Sequence, residues 1–193
     1  TNIGLSLLAN LAARDFGYLS LGRFLERTQA TIDTLHRLER HRGHFYNWYE
    51  TRTLRPLIPL YVSSVDSGNL AGHLLTLACG LRELAQEKFL DPQVFAGLRD
   101  TLALVQQLDG ENALLSQLDA ELAQKPSDLR AGAMLLQRAM EQSAKIANTL
   151  ANRDGDLKAW SQTLQRSCKE HLSELNFHAP WLKDENLTSR IAQ

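Results

Sequence analysis

Apolar residues recur at helical spacing over most of the chain. In the first segment Ile3, Leu7 and Leu11 are four residues apart, an interval that puts them on one face of a helix spanning about 2–14. A second apolar stripe begins after Ser20, the expected N-cap, and continues to about residue 40. Because the break between them is short, the pattern predicts two helices packed antiparallel as a hairpin.

The same periodicity predicts a third helix that begins at an N-cap within 63–64 and continues to about residue 88. Gly68 and Gly72 lie on it, and their i, i+4 spacing predicts that a neighbouring helix approaches closely there. Helix-start signals at Asp91-Pro92, Pro126-Ser127 and Asp154-Gly155, with a turn at Asp109-Gly110, predict four further helices, at 92–108, 111–123, 127–152 and 155–176. The whole pattern is that of an all-α fold made of antiparallel helical hairpins, with a helical bundle in its second part.

One segment, residues 41–62, departs from this pattern. Gly43, Pro56 and Pro59 punctuate it, and aromatic residues are dense between 45 and 49. This composition predicts a short extended excursion or hairpin. Irregular segments of this length inside compact domains are usually functional.

Composition and charge exclude several classes of function. The 193 residues carry a formal net charge of −1, and no block of like charge favours binding to nucleic acid or to an anionic membrane surface. No apolar run approaches the length of a membrane span. Cys79 and Cys168 have no second Cys or His at metal-ligand spacing, so we expect reduced, half-buried thiols, no metal site and no cofactor. The chain opens without a methionine or a signal pattern, and we expect it to be part of a longer protein.

The residues that could carry chemistry lie between 44 and 73. Flat aromatic rings pack against the apolar C–H faces of sugars while polar groups accept or donate at the hydroxyls. The candidate substrate-binding residues are His44, Tyr46, Trp48, Tyr49, Glu50, Arg52, Asn69 and His73. Asp66 falls in the first turn of the third helix, where the helix dipole favours an ionised carboxylate, and it is the candidate catalytic residue.

Structural roles remain open for each of these candidates. The aromatics could only fasten the loop to the helices, Asp66 could only cap a helix, and His73 could be an interface histidine. A catalytic pair formed by Glu50 and Asp66 is a weak inference, because a chain with 22 acids contains many such pairs.

Four stretches of the sequence resemble the middle region of bacterial cyclic β-1,2-glucan synthases. They are TNIGL (1–5), ARDFG (13–17), GHFYNWYETRTL (43–54) and YVSSVDSGNLAGHL (61–74). The resemblance covers residues 1–75 and implies the opening of a glucoamylase-like domain, an α/α toroid similar to endo-β-1,2-glucanases, in which cyclising transglycosylation takes place. Glu50 stands where most relatives are expected to carry Asp, so its carboxylate is carried on a side chain that is one carbon longer.

The resemblance also implies an organisation. Residues 1–90 would form the opening helices and aromatic loop of a partial toroid, 91–180 a helical insertion or bundle, and 181–193 a linker or the start of a next helix. The parent would be a glycosyltransferase and transglycosylase, and this part would lie on the cytoplasmic side of the bacterial inner membrane, without direct membrane contact. Because the carboxylates that do the glycosidic chemistry are expected downstream, the fragment alone would be inactive.

The implied partners are a β-1,2-glucan chain and other domains of the same synthase, with no nucleic acid. An apolar seam left exposed by a cut toroid could also form a dimer. The alternative function is a helical scaffold module that docks other domains without binding substrate. Convergence of the aromatic loop with Asp66, Asn69 and His73 on one concave surface would favour the glucan-binding hypothesis over the scaffold.

Overall fold

The described residues are mostly α-helical, which confirms the predicted all-α fold class. The structure is a computed structural model and describes residues 1–88, 90–110 and 112–183. Its helices are α1 Asn2–Asp15, α2 Leu21–Arg37, α3 Ser64–Leu84, α4 Gln93–Asp109, α5 Ala113–Leu122, α6 Leu129–Thr149 and α7 Asp156–His178, followed by a 3₁₀ turn at Pro180–Lys183. Two short strands, β1 Arg40–His41 and β2 His44–Phe45, form an antiparallel pair.

Most helix ends lie within a few residues of their predicted positions. The Ser63 side chain caps α3 by accepting a hydrogen bond from the backbone N–H of Asp66 at 3.1 Å, as predicted. The predicted start of α6, at residue 127, is two residues early: Asp128 caps the helix by accepting from the N–H of Ala131, and α6 begins at Leu129. Helix α2 ends at Arg37, not 40, since the chain there turns into β1, and α3 ends at Leu84, not 88.

The described residues divide into two compact units. The first contains Thr1–Ala13 and Gly22–Glu87. Within it α1 and α3 approach closely at two points: a side chain at Gly4 would overlap the ring of His73, and one at Gly80 would lie 2.6 Å from Leu11. The earlier residue of α1, Gly4, meets the earlier residue of α3, His73, and the later residue Leu11 meets the later residue Gly80, so the two helices run parallel.

The predicted close approach at Gly68 and Gly72 is wrong. A side-chain carbon added at either position would meet no atom within 4 Å, so both glycines face open space. Spacing of i, i+4 places two residues on one helix face but does not say which face meets a neighbour. On α3 the face that meets α1 carries His73 and Gly80.

The second unit contains Arg14–Leu21 together with the described residues from Lys88 onward. Helix α7 packs against α4 and α6, while α5 contacts both α4 and α6, so the four helices form a bundle. Its fully buried side chains include Leu98, Leu102, Leu115, Leu118, Leu136 and Leu164. Burial of these side chains is the main stabilising contribution, at roughly 1.5–3 kcal/mol each.

One turn is built into this second unit by a glycine. Gly17 has φ +74°, which L side chains rarely adopt, and a side chain there would overlap the carbonyl of Gln93. Gly97 of α4 faces it, with the carbonyl carbon of Gly17 only 2.5 Å from the position of a side-chain carbon. The buried ring of His171 completes the contact, its Nε2 lying 3.2 Å from the carbonyl oxygen of Gly17.

The prediction of two half-buried thiols is wrong. Cys79 is exposed and Cys168 is completely buried in the bundle core, and both are free. Burial raises the pKa of Cys168 to about 11. No helix among the residues described has both the length and the apolar character to cross a membrane. The predicted linker or helix at 181–193 falls largely outside the described residues, which end with the 3₁₀ turn.

Candidate functional site

The first unit contains a cleft of about 410 Å³ between the aromatic loop and the starts of α1 and α3. Five of the sequence-predicted site residues line it: His44, Tyr46, Trp48, Tyr49 and Asp66. The other lining residues are Thr1, Asn2, Ile3, Gly43, Phe45, Asn47, Ser67, Leu70, Ala71 and Leu74. The cleft therefore combines an aromatic wall with an apolar helix face and a carboxylate.

The residues of α3 that line this cleft beside Asp66 were not identified from the sequence. Ser67, Leu70, Ala71 and Leu74 recur at three- and four-residue intervals, which puts them on one helix face next to Asp66. That spacing was the signal that could have identified them.

The loop that carries the aromatic wall folds back on itself through backbone hydrogen bonds. The hairpin of β1 and β2 closes over Arg42 and Gly43, both with positive φ, the conformation typical of a two-residue hairpin turn. Beyond it, the N–H of Asn47 donates to the carbonyl of Tyr61 at 2.8 Å, and the N–H of Leu57 donates to the carbonyl of Trp48 at 3.0 Å. Extended backbone is paired here even though no long strand forms.

Tyr49 fastens this loop to the end of α2. Its hydroxyl accepts a hydrogen bond from the backbone N–H of Tyr46 at 2.8 Å and donates one to the carbonyl of Glu39 at 2.7 Å. Burial raises the pKa of Tyr49, which keeps the hydroxyl protonated and able to donate. Tyr49 thus has a local structural role while its ring lines the cleft.

Glu50 closes the next turn and does not line the cleft. Its carboxylate accepts from the backbone N–H groups of Arg52 at 3.1 Å and Thr53 at 2.6 Å. Hydrogen bonds from Thr53 and then Arg52 hold the pKa of Glu50 below its usual value. The Arg52 side chain, 93% exposed, lies near the same carboxylate, its Nε 3.5 Å from Oε1. Asp66 lines the cleft and Glu50 does not, so the cleft does not contain both carboxylates of the predicted pair.

Trp48 stands at the edge of the cleft with half of its surface exposed, at 50%. Its ring stacks on that of Tyr61, with centroids 6.1 Å apart and planes inclined by 30°. An exposed indole face beside a cleft is suited to contact the apolar face of a flat ligand.

Asp66 is an ionised hydrogen-bond acceptor. Its Oδ1 accepts a hydrogen bond from the Thr1 hydroxyl. Hydrogen bonds from the Thr1 hydroxyl and then the Ser63 hydroxyl hold the pKa of Asp66 below its usual value. At neutral pH the group can bind a hydroxyl or position water, but it has no proton to donate.

The remaining polar candidates lie around α3. His44 Nδ1 is 3.2 Å from the Ser67 hydroxyl oxygen. Asn69 does not line the cleft, although its side-chain amide donates to the Thr1 hydroxyl at 3.3 Å. His73 packs against Gly4 outside the lining, and its Nδ1 is buried with no hydrogen-bond partner among the residues described. In the described part of the chain, no group of three or more His, Cys, Asp or Glu is placed to hold a metal ion.

Comparison with known proteins agrees with the class of protein that the sequence motifs indicated. The resemblance to the cyclic β-1,2-glucan synthases is confirmed. The chain is 38% identical over 151 residues to the cyclic beta-(1,2)-glucan synthase NdvB of Rhizobium meliloti (strain 1021). The aligned stretch takes in 78% of this chain and 5% of that relative, so the chain is similar to a short segment of a much longer protein. No protein-family model matches the chain.

Proposed function

We propose that this chain supplies part of the β-1,2-glucan-binding cleft of a cyclic β-1,2-glucan synthase, within the domain that carries out cyclising transglycosylation. The observation that carries the proposal is the cleft itself, in which His44, Tyr46, Trp48 and Tyr49 face the helix bearing Asp66. A neutral sugar chain needs apolar surfaces for its ring faces and fixed acceptors for its hydroxyls. The similarity to a glucan synthase supplies the substrate class.

The cleft supplies one of the two carboxyl groups that glycosidic chemistry requires. Enzymes of this kind place two carboxyl groups across the scissile bond, one of them able to donate a proton. Asp66 is the sole carboxylate among the described residues that line the cleft, and its low pKa suits it to orient a hydroxyl or a water molecule. The chain alone is therefore inactive in this proposal, and the acid comes from another part of the parent protein.

The wider setting is part of the same proposal. The parent is a glycosyltransferase whose other domains contact this segment, and no cofactor is bound here. The segment lies on the cytoplasmic side of the inner membrane and does not touch the bilayer itself. The similarity to a cyclic glucan synthase supports the glycosyltransferase part of this setting.

A second function, a docking module, is favoured by a separate observation. Helices α2 and α3 leave an apolar groove of about 580 Å³ between them, lined by Leu25, Ile32, Leu74, Leu77 and Leu81. On the same helix α3, Leu75 is 71% and Val65 70% exposed. Apolar surface of this kind marks protein interfaces. It could contact another domain of the synthase, or a second copy of this chain in a dimer.

Calorimetric titration with linear β-1,2-gluco-oligosaccharides separates the two functions. We expect saturable binding that is weakened in both Trp48→Ala and Asp66→Asn and absent with β-1,4-linked oligosaccharides of equal length. Trp160→Ala is the matched control, because Trp160 is 37% exposed in the second unit and does not line the cleft. A folded chain that binds none of these sugars contradicts the glucan-binding proposal. Dimerisation on a sizing column would then support the docking module.

A further inference from the structure

Tyr61 lies outside the cleft but continues its aromatic wall. We infer that Trp48 and Tyr61 form a two-ring platform on which a glucan chain leaving the cleft places its next sugar ring. This inference rests on the proposed glucan-binding function and extends the site beyond the lining residues. It gives Tyr61 a binding role, which neither the sequence motifs nor the cleft assign to it.

The first support is the geometry of the pair. The ring centroids are 6.1 Å apart and the planes are inclined by 30°, so the Tyr61 ring stacks on the Trp48 ring with a lateral offset and extends the aromatic surface beyond it. Trp48 is 50% and Tyr61 54% exposed, which leaves ring surface on both open to solvent. Because Trp48 also lines the cleft, the ring pair adjoins the cleft.

The second support is the fixed backbone beneath the rings. Tyr61 accepts from the N–H of Asn47 at 2.8 Å, and Trp48 accepts from the N–H of Leu57 at 3.0 Å. These bonds hold the two ring-bearing positions next to each other before any ligand arrives. A preorganised surface avoids the entropy cost of ordering side chains on binding.

The chemistry of the platform suits an uncharged sugar chain. Aromatic faces carry no formal charge and pack against the C–H faces of pyranose rings. The nearest acid along the loop, Glu50, is engaged by the N–H groups of Arg52 and Thr53. The adjoining Ile58 and Leu60 are also exposed, so an apolar protein surface is the competing occupant that the experiment must separate.

The test depends on ligand length. A platform at the exit of the cleft contributes only when the ligand is long enough to leave the cleft. We therefore expect Tyr61→Leu to weaken binding of a long linear β-1,2-gluco-oligosaccharide by roughly three- to tenfold, the effect of one lost ring contact. Binding of the β-1,2-linked disaccharide should not change. Tyr61→Phe keeps the ring and should keep wild-type affinity for both ligands.

A matched control exists in the second unit. Phe16 and Tyr18 form another exposed pair, with centroids 6.0 Å apart and planes inclined by 35°, and neither residue lines the cleft. Phe16→Leu should leave both affinities unchanged, which shows that loss of an exposed ring does not by itself reduce binding. Near-ultraviolet circular dichroism reports whether each aromatic pair has been disrupted, independently of ligand.

Each other outcome overturns the inference. If the wild type binds the long ligand and Tyr61→Leu binds it equally well, the platform is refuted while the glucan cleft stands. If Tyr61→Leu weakens the disaccharide and the long ligand equally, Tyr61 acts only by supporting the cleft. If the wild type binds neither ligand, the proposed function fails and the platform with it, and the exposed loop is then assigned to a protein partner.

Discussion

Removal of the Tyr49 hydroxyl tests whether this group holds the aromatic loop in place or contacts the ligand directly. Tyr49→Phe keeps the ring that lines the cleft and removes only the oxygen. That oxygen accepts from Tyr46 N–H at 2.8 Å and donates to the carbonyl of Glu39 at 2.7 Å. If these bonds hold the loop, the substitution should loosen it without changing the shape of the aromatic wall.

The magnitude follows from what each partner loses. The Tyr46 N–H bond is partly buried, and leaving such a donor unpaired costs about 1–3 kcal/mol. The carbonyl of Glu39 is exposed, so water replaces the lost hydroxyl there at little cost. Together we expect local opening of the loop to become easier by about 1–2 kcal/mol, which corresponds to a factor of about 5–30.

Amide hydrogen exchange measures this local opening directly, since a loop can open without global unfolding. In Tyr49→Phe the protection of the Tyr46 and Asn47 amides should fall by about 5–30-fold. The matched control is Tyr18→Phe, whose hydroxyl donates to the exposed Asp100 carboxylate at 3.0 Å. We expect a change of no more than about 0.5 kcal/mol there.

The result that refutes this reasoning is specific. Unchanged protection at Tyr46 would show that the hydroxyl does not hold the loop. Protection that stays intact together with reduced affinity for β-1,2-gluco-oligosaccharides would show that the Tyr49 hydroxyl contacts the sugar directly.

Three further predictions concern pH and helix packing. Hydrogen bonds lower the pKa of Glu50, so its carboxylate stabilises the 50–54 turn above about pH 4.5 and loses this effect as pH falls through its folded pKa. Exchange of the Thr53 amide should therefore accelerate in acid, and Glu50→Gln should abolish this pH dependence. Burial lowers the pKa of His171, so urea titrations should show stability falling from about pH 6.5 downward, because the unfolded chain takes up the proton first. His171→Gln should show a smaller fall over the same pH range, and an equal slope in both proteins would contradict this. Gly72→Ala should stabilise α3 by about 0.5–1 kcal/mol in thermal unfolding, because the added carbon meets no other atom. Gly4→Ala should destabilise the protein by about 1–3 kcal/mol, because the added carbon overlaps His73. Similar shifts in both variants would contradict the packing of α1 on α3.

The helices were predictable because their signals are local. Apolar spacing depends only on residues within a few turns, and the Ser63 cap depends only on its own helix start. The irregular stretch at 41–62 was predictable for the same reason, since its prolines lack the backbone N–H that a helix interior requires. Placement of the aromatic loop beside the start of α3 was suggested by motif resemblance and not by spacing.

The remaining features depend on partners far away in the sequence. Nothing in the local sequence shows that Thr1 contacts Asp66, 65 residues later, or that Gly4 meets His73 while Gly72 faces open space. The exposure of Cys79 and burial of Cys168 likewise depend on which helix face a neighbour covers. The turn-closing role of Glu50 depends on local contacts, but the sequence still did not show it. A carboxylate that accepts from its own turn cannot be told in sequence from one that faces a ligand.

The distribution of these contacts bears on how the segment could serve a much longer protein. The aromatic wall is held by bonds among residues 39–61, and Asp66 is held by Ser63 and Thr1, so the cleft is fixed by contacts within the first unit. The four-helix bundle has a separate core of its own leucines. Mutations that preserve the bundle core can therefore change its surface without disturbing the hydrogen bonds that form the cleft. A segment built in this way can keep the geometry of its cleft constant while the surface of the bundle changes.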